Sequence, residues 1–291
     1  MINVCLLGLG RTGIVVAEQL LKAPDFNLVA VFAKPHSPKA GTPLSALINC
    51  PNNLVIQSVD DLPQFLETDE INVAIDFTTP EASLKNIKFL AEHQVNVVIG
   101  TTGFNKMQIY ELKKIVQRSK IGLLYAPNIS LGINLLLTVV KTIARIIPHY
   151  DVEITECHHR NKKDAPSGTA LKIADAINCA KGHCTGKYTF GRKGQELRGN
   201  EEIGIHAIRA GGIIGVHQVL FAGESDEIEI THRSYSRLVF AEGALHAAHF
   251  IINRKGFYNM EEVMGETAET DAADVPEPSI APPVSLTAIA E

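Results

Sequence analysis

No run of about eighteen apolar residues free of charge occurs in this 291-residue chain, which excludes a membrane-spanning helix. Nor is a secretory leader expected: Met1 runs straight into Ile2-Asn3-Val4-Cys5-Leu6-Leu7-Gly8, which reads as a strand. Cysteines are few and odd in number. Cys5, Cys50, Cys157, Cys179 and Cys184 follow no regular spacing and form no CxxC pair, so the expectation is reduced thiols in a cytoplasmic protein. Nor is there an excess of positive charge. The 27 Lys and Arg against 32 Asp and Glu give −5, and the last 26 residues hold six of the acids and none of the bases. The rest is close to neutral, so a phosphate-backbone binder is not expected and no nucleic-acid partner is implied. What is present, 45% hydrophobic and 20% charged residues, suits one large globular domain or two ordinary ones.

Over residues 1–128 one pattern repeats: a short apolar strand, a turn, an amphipathic helix. Strands are expected at Asn3–Leu7, Leu28–Phe32, Val73–Phe77, Val95–Ile99 and Ile121–Tyr125, with a weaker one near Leu54–Gln57. They are rich in Val, Ile and Leu without alternation, as parallel strands covered on both faces should be. Helices are expected at Thr12–Lys22 and Glu81–Glu92, where apolar residues share one face. This alternation predicts an α/β fold with an N-terminal Rossmann-like, doubly wound parallel sheet.

After Asn128 the pattern changes. A long apolar helix is expected at Ser130–Ile147, then a strand at Val152–Cys157 and a helix from about Gly168 to Ala180. Strands at Gly204–Arg209, His217–Phe221 and Glu227–Thr231 follow without helices between them; the tight turns suggest antiparallel pairing and predict a second, α+β domain over 129–237 built on a mixed sheet. A helix at Arg237–Asn253 should return to the first domain, so that about 238–265 rejoins it. Residues 266–291, rich in Glu, Ala, Thr and Pro, read as a disordered acidic tail.

The loop Gly8-Leu9-Gly10-Arg11-Thr12-Gly13 leaves the first strand and opens the first helix, where backbone amides can meet a pyrophosphate. The bland alternative is a glycine turn that only packs helix on strand. The place where an NAD site usually carries an acid, about 20 residues on, reads Val31-Phe32-Ala33-Lys34. A lysine there suits the extra phosphate of NADPH, with NADH the alternative if Lys34 is merely a solvated charge. Two further loops, Asp76-Phe77-Thr78-Thr79-Pro80 and Gly100-Thr101-Thr102-Gly103-Phe104, stand at strand C-termini. Their hydroxyls are either cofactor contacts or turn and cap residues.

The densest chemistry lies in Glu156-Cys157-His158-His159-Arg160-Asn161-Lys162-Lys163-Asp164-Ala165-Pro166-Ser167-Gly168-Thr169-Ala170. Ser167 is a natural N-cap, and the amides of Gly168 and Thr169 would face an anion beside two histidines and several cations. That suits a small dicarboxylate, with His and Lys as proton donors. A solvated basic loop is the ordinary alternative. Zinc on Cys157, His158 and His159 with Cys179, His183 and Cys184 would need adjacent residues to share one ion, so no metal is expected.

This stretch resembles the dihydrodipicolinate reductase family, whose signature is a Glu followed by His-His-Arg-x-Lys-x-Asp-Ala-Pro-Ser-Gly-Thr-Ala. The resemblance extends from Met1 to about Gly265 and includes Asp76-Phe77-Thr78, Ile99–Phe104, Ala126–Ser130, Arg209–Gly212, Gly215–His217, Phe221–Glu224 and Ile228–Arg233. It implies NAD(P)H-dependent reduction of a cyclic imine dicarboxylate to tetrahydrodipicolinate in the diaminopimelate route to lysine. His158 and Lys162 match its proton-transferring residues, and His159, Gly168 and Thr169 its substrate contacts. Gly8–Gly13, Gly100-Thr101-Thr102 and Ala126-Pro127-Asn128-Ile129 match its nucleotide contacts, with Phe77 and Lys34 beside them. A homotetramer built through second-domain sheets is also implied. Many members carry a GxxGRMG loop one residue longer, and an acid often stands where this chain has Ala33. Two other activities fit the same motifs: reduction of a related imine or oxo acid, and a non-catalytic NADPH sensor.

Overall fold

The computed structural model describes residues 1–50, 54–68, 70–183 and 186–265, so the expected tail and Cys184 lie outside the described residues. The first part of the chain runs β1 (Ile2–Leu7), α1 (Arg11–Leu20), β2 (Phe26–Ala33), β3 (Gln57–Ser58), α2 (Leu62–Thr68), β4 (Val73–Asp76), α3 (Pro80–Glu92), β5 (Asn96–Ile99), α4 (Lys106–Ser119) and β6 (Gly122–Tyr125). Sequence chemistry sets several of the helix starts. Thr79 caps α3 ahead of Pro80, and Asn105 with Gln108 forms a reciprocal capping box on α4.

The second part contains α5 (Leu131–Ile146), β7 (Asp151–His158), α6 (Gly168–Ala180), β8 (Lys187–Phe190), β9 (Glu202–Arg209), β10 (Gly215–Ala222), β11 (Glu227–Ser234), α7 (Leu238–Ile251) and β12 (Gly256–Tyr258). Seven strands form one sheet in the order β12-β6-β5-β4-β1-β2-β3, every neighbouring pair parallel. Alternate residues of β1 face opposite layers. Val4 and Leu6 pack with Val16 and Leu20 of α1 and Ala244 and Ala248 of α7. Cys5 and Leu7 pack with Ile87, Leu90, Leu112 and Val116 of α3 and α4. Each such fully buried branched side chain contributes about 1.5–3 kcal/mol, which explains why these strands carry no polar alternation.

Strand order reverses between β1 and β4, and ligands of open α/β sheets gather at the strand C-termini beside such a reversal. The loops after β1, β4, β5 and β6 all leave from that edge.

The second sheet is mixed, in the order β11-β10-β7-β9-β8. β10 and β11 form the expected antiparallel pair, but β9 and β10 do not pair: they flank β7, β9 parallel and β10 antiparallel to it. Here the expectation that consecutive strands pair fails, because Val152 and Ile154 of β7 are buried and give the sheet its centre. β8 forms inside a stretch that reads as Gly- and Lys-rich loop, and the three-residue β12 is too short to register as a pattern. α5 and α6 cover one face through Ile133, Leu137, Val140, Ile173 and Ile177.

Candidate active site

The glycine loop is shaped by sterics. Gly8 has φ +95°, and a Cβ there would stand 2.5 Å from the Phe77 carbonyl oxygen, so no other residue fits. Gly10 is the N-cap of α1 with no side-chain cap, and nothing lies within 4 Å of where its Cβ would be. The first-turn amides of α1 thus retain the open approach that a dinucleotide pyrophosphate needs. Donor set and space together fit a pyridine nucleotide.

Two cavities flank this loop. One, of about 620 Å³, is lined by Gly8, Leu9, Gly10, Ala33, Lys34 and Lys39 among others. Lys39, which sequence reasoning missed, donates from Nζ to the Leu9 carbonyl oxygen at 2.6 Å and so ties the loop after β2 to the glycine loop. The other cavity, of about 680 Å³, lies between the sheets. Arg11, Thr12, Phe77, Gly100, Thr102, Pro127, Asn128 and Ile129 line it from one side, and His158, His159, Lys162 and Thr169 from the other. The two sets of sequence-predicted residues therefore share one crevice. Asn128 spans it, donating from Nδ2 to Thr169 Oγ1 at 3.1 Å.

Five expected site residues, Gly13, Thr101, Ala126, Ser167 and Gly168, are not among the residues lining either cavity. Thr101 is buried, and its hydroxyl accepts from Thr78 N (2.8 Å) and donates to Asp76 Oδ1 (3.0 Å). It braces the two loops after β4 and β5 and has no hydroxyl to spare for a cofactor. Ser167 is committed likewise: its amide donates to Glu156 Oε1 (2.9 Å), and its hydroxyl caps Ala170 N (3.2 Å) and meets His217 Nε2 (3.3 Å). Gly168 opens α6, with space where a side chain would be.

Residues from distant sequence complete the crevice. Ile214, Gly215 and His217 of the β10 region, Ser234, Arg237 and Phe240 all line it. Of these, Gly215 and His217 fall in a stretch that carries the family resemblance, and the strand partner of His217 is Glu156. Among the described residues no group of three His, Cys, Asp or Glu side chains is placed to hold a metal.

Electrostatics sorts these groups. His158 Nδ1 lies 2.5 Å from Glu156 Oε2, and burial depresses the His158 pKa, with Glu156 pulling it back up and Lys162 and Arg209 pushing it down. Lys162 pairs with Asp164 at 2.9 Å on the crevice rim. His217, 4% exposed, is pushed down to about 3, first by burial and then by the charge on His158. Unfolded, it would titrate near 6.5, so below that pH the unfolded chain binds the extra proton and stability falls with falling pH, by up to about 1.4 kcal/mol per pH unit. Urea midpoints at pH 7.5 and 5.5 should therefore separate less in His217→Gln than in the parent. An equal separation would remove His217 as the source.

Residues 2–129 match the family model described as dihydrodipicolinate reductase, N-terminus, and residues 132–264 the one described as dihydrodipicolinate reductase, C-terminus. A 4-hydroxy-tetrahydrodipicolinate reductase of Methanocaldococcus jannaschii is 38% identical over 269 residues, covering 91% of this chain and 98% of that protein. One from Methanosarcina acetivorans is 41% identical over 268 residues, covering 91% and 100%. Among solved structures, the dipicolinate-bound dihydrodipicolinate reductase from Paenisporosarcina sp. TG-14 superposes with a TM-score of 0.74 at 29% identity, covering 90% of this chain and 99% of that one. An amine dehydrogenase from Mycobacterium smegmatis, at 13% identity and a TM-score of 0.62 with 88% and 94% covered, shares the fold.

Proposed function

Because the chain belongs to the dihydrodipicolinate reductase family, we propose that it reduces 4-hydroxy-tetrahydrodipicolinate to tetrahydrodipicolinate, with loss of water, in lysine biosynthesis. The observation that carries this is the single crevice in which glycine-loop residues face the His158–Thr169 block. The pyridine nucleotide, when bound, supplies the hydride. The protein does the rest. Arg11, Thr12, Gly100, Thr102 and Pro127–Ile129 form the cofactor side of the crevice. His159, Lys162, Thr169 and the open N-terminus of α6 supply positive potential and donors for a dicarboxylate. His158 and Lys162 hold the protons that must follow hydride, and their charge favours electron density moving toward the ring nitrogen.

NADPH is the preferred cofactor in this proposal, because Lys34 stands where a ribose-binding acid is absent. The sites named above, a cytoplasmic location and a homotetramer belong to the same proposal. Support for assembly comes from the face of the second sheet opposite α5 and α6. There Val216, Cys157 and Ile208 form one row, and Ile208 is 45% exposed. Sedimentation should give a mass near four chains, and a monomer would remove the tetramer.

Loss of absorbance at 340 nm with freshly made substrate tests the reaction. Oxidation of NADPH only with another imine or oxo acid would favour the related reductase. None with any acid, despite tight NADPH binding, would favour the sensor.

A further inference from the structure

A fully buried carboxylate lies behind the crevice. Glu156 on β7 is 0% exposed, and its two oxygens receive four donors. Oε2 takes His158 Nδ1 at 2.5 Å and Arg209 Nη1 at 2.8 Å; Oε1 takes Arg209 Nη2 at 2.7 Å and Ser167 N at 2.9 Å. A carboxylate with its acceptor sites filled by N–H donors has no oxygen left to carry a proton of its own. Burial pushes the Glu156 carboxyl up, but the bonds from Arg209, His158 and Ser167 outweigh it and leave the group below the ordinary glutamate range.

We propose that Glu156, clamped by Arg209, is the positioning residue that fixes the proton of His158 on Nδ1 and so presents Nε2 to the crevice as the proton-exchanging atom. This rests on His158 being a proton donor in the reaction proposed above. An ionised carboxylate only accepts, so the nitrogen 2.5 Å away must donate, and neutral imidazole has only one N–H. The remaining nitrogen is given room by Gly215: a Cβ at that residue would stand 3.3 Å from His158 Nε2. Both residues line the crevice. When Nε2 takes up a proton, the resulting cation remains hydrogen-bonded to Glu156, whose charge compensates it. The arrangement resembles in logic the carboxylate that orients the base of a hydrolase triad, here serving an acid.

Arg209 has the further task of keeping Glu156 charged without surrendering His158. It sits on β9 in register with His158, and also donates to the Asp164 carbonyl oxygen at 2.6 Å. The charged or titratable groups facing His158 are Glu156 on its own strand, Arg209 from β9, His217 from β10 at a ring separation of 5.3 Å, and Lys162 with its partner Asp164 from the loop. Glu156 favours the protonated form, and Lys162 and Arg209 oppose it.

A purely structural Glu156–Arg209 pair would tie β7, β9 and the start of α6 together and leave the tautomer indifferent. Long-range ¹⁵N–¹H correlation on histidine-labelled protein separates the cases, with His158 assigned by its absence in His158→Gln. The wild type at about pH 8 should show the proton on Nδ1. Glu156→Gln, whose amide can donate to Nδ1, should move it to Nε2. Because that change strands a buried guanidinium, Glu156→Gln/Arg209→Met removes both charges together and should remain folded. In either variant kcat should fall about ten- to a hundredfold. The cofactor KM should hold, and the alkaline fall in activity should move to lower pH.

Wild-type His158 protonated on Nε2, or a tautomer unchanged by Glu156→Gln, overturns the proposal. The tautomer measurement needs no turnover. A chain that shows the expected tautomer yet reduces nothing would instead overturn the functional reading.

Discussion

In Lys162→Ala and in His158→Gln, kcat should fall by about 10²–10⁴, the range associated with a lost acid catalyst. The two variants differ in what accompanies the loss. Lys162 spends one of its three N–H donors on Asp164 and keeps two for a substrate at the crevice rim. Alanine removes both the proton and a positive charge opposite a dicarboxylate. A charge-assisted hydrogen bond is worth about 1.5–3 kcal/mol, so the substrate KM should also rise roughly ten- to a hundredfold. His158→Gln keeps a polar side chain of similar reach, and its defect should fall on kcat. The pH profile gives a second check. His158 is depressed chiefly by burial, so its acid form grows only as pH falls, and activity that needs this acid decreases as pH rises through its pKa. That limb should be absent in His158→Gln and present in Lys162→Ala. Near-parental turnover in both variants would remove these residues from the chemistry.

The parts of this machinery that a reader of the sequence could find are those encoded locally. The Gly8–Gly13 loop, the Ser167 cap and the cationic run before it are contiguous, and each announces itself by residue type and spacing. The parallel sheet is equally local in origin, since two-sided burial demands unbroken Val, Ile and Leu in strands such as Val73–Asp76. Partners across the sheet are not local. Glu156 was visible only as the first letter of a signature. That it would be fully buried depended on β9 delivering Arg209 fifty-three residues later, in register beside β7. Consecutive strands suggested consecutive pairing, whereas the apolar strand at Asp151–His158 took the centre and separated β9 from β10. His217, Arg237 and Phe240 reached the crevice by the same non-local route. Lys39 was missed for a different reason: a lysine in a proline-flanked loop has the composition of a solvated turn, and only its bond to the Leu9 carbonyl reveals a role. Thr101 and Ser167 illustrate the converse. Their motifs drew attention to their hydroxyls, and the fold uses those hydroxyls to hold loops and a helix start.

Lys34→Ala should weaken NADPH binding about ten- to a hundredfold while leaving NADH within about twofold, equivalent to a charge-assisted contact made to one cofactor only. Lys34 and Lys39 both line the cavity beside the glycine loop, but they are not equivalent. The Lys39 ammonium is already engaged by the Leu9 carbonyl oxygen at 2.6 Å, whereas Lys34 has no ion-pair partner among the described residues. The sole feature that distinguishes the two cofactors in this region is a phosphate on the ribose, so a change confined to NADPH points to a lysine-phosphate contact. Lys39→Met serves as the contrast: it loosens the glycine loop itself, and should weaken both cofactors alike. Ala33→Asp completes the set. A carboxylate at the end of β2, where the chain now has a methyl group, should favour the ribose diol of NADH and repel the phosphate of NADPH. Fluorescence titration of both nucleotides against the four proteins measures every arm. If Lys34→Ala binds NADPH as the parent does, charge at this strand end does not select the cofactor, and the preference must arise from the walls of the cavity.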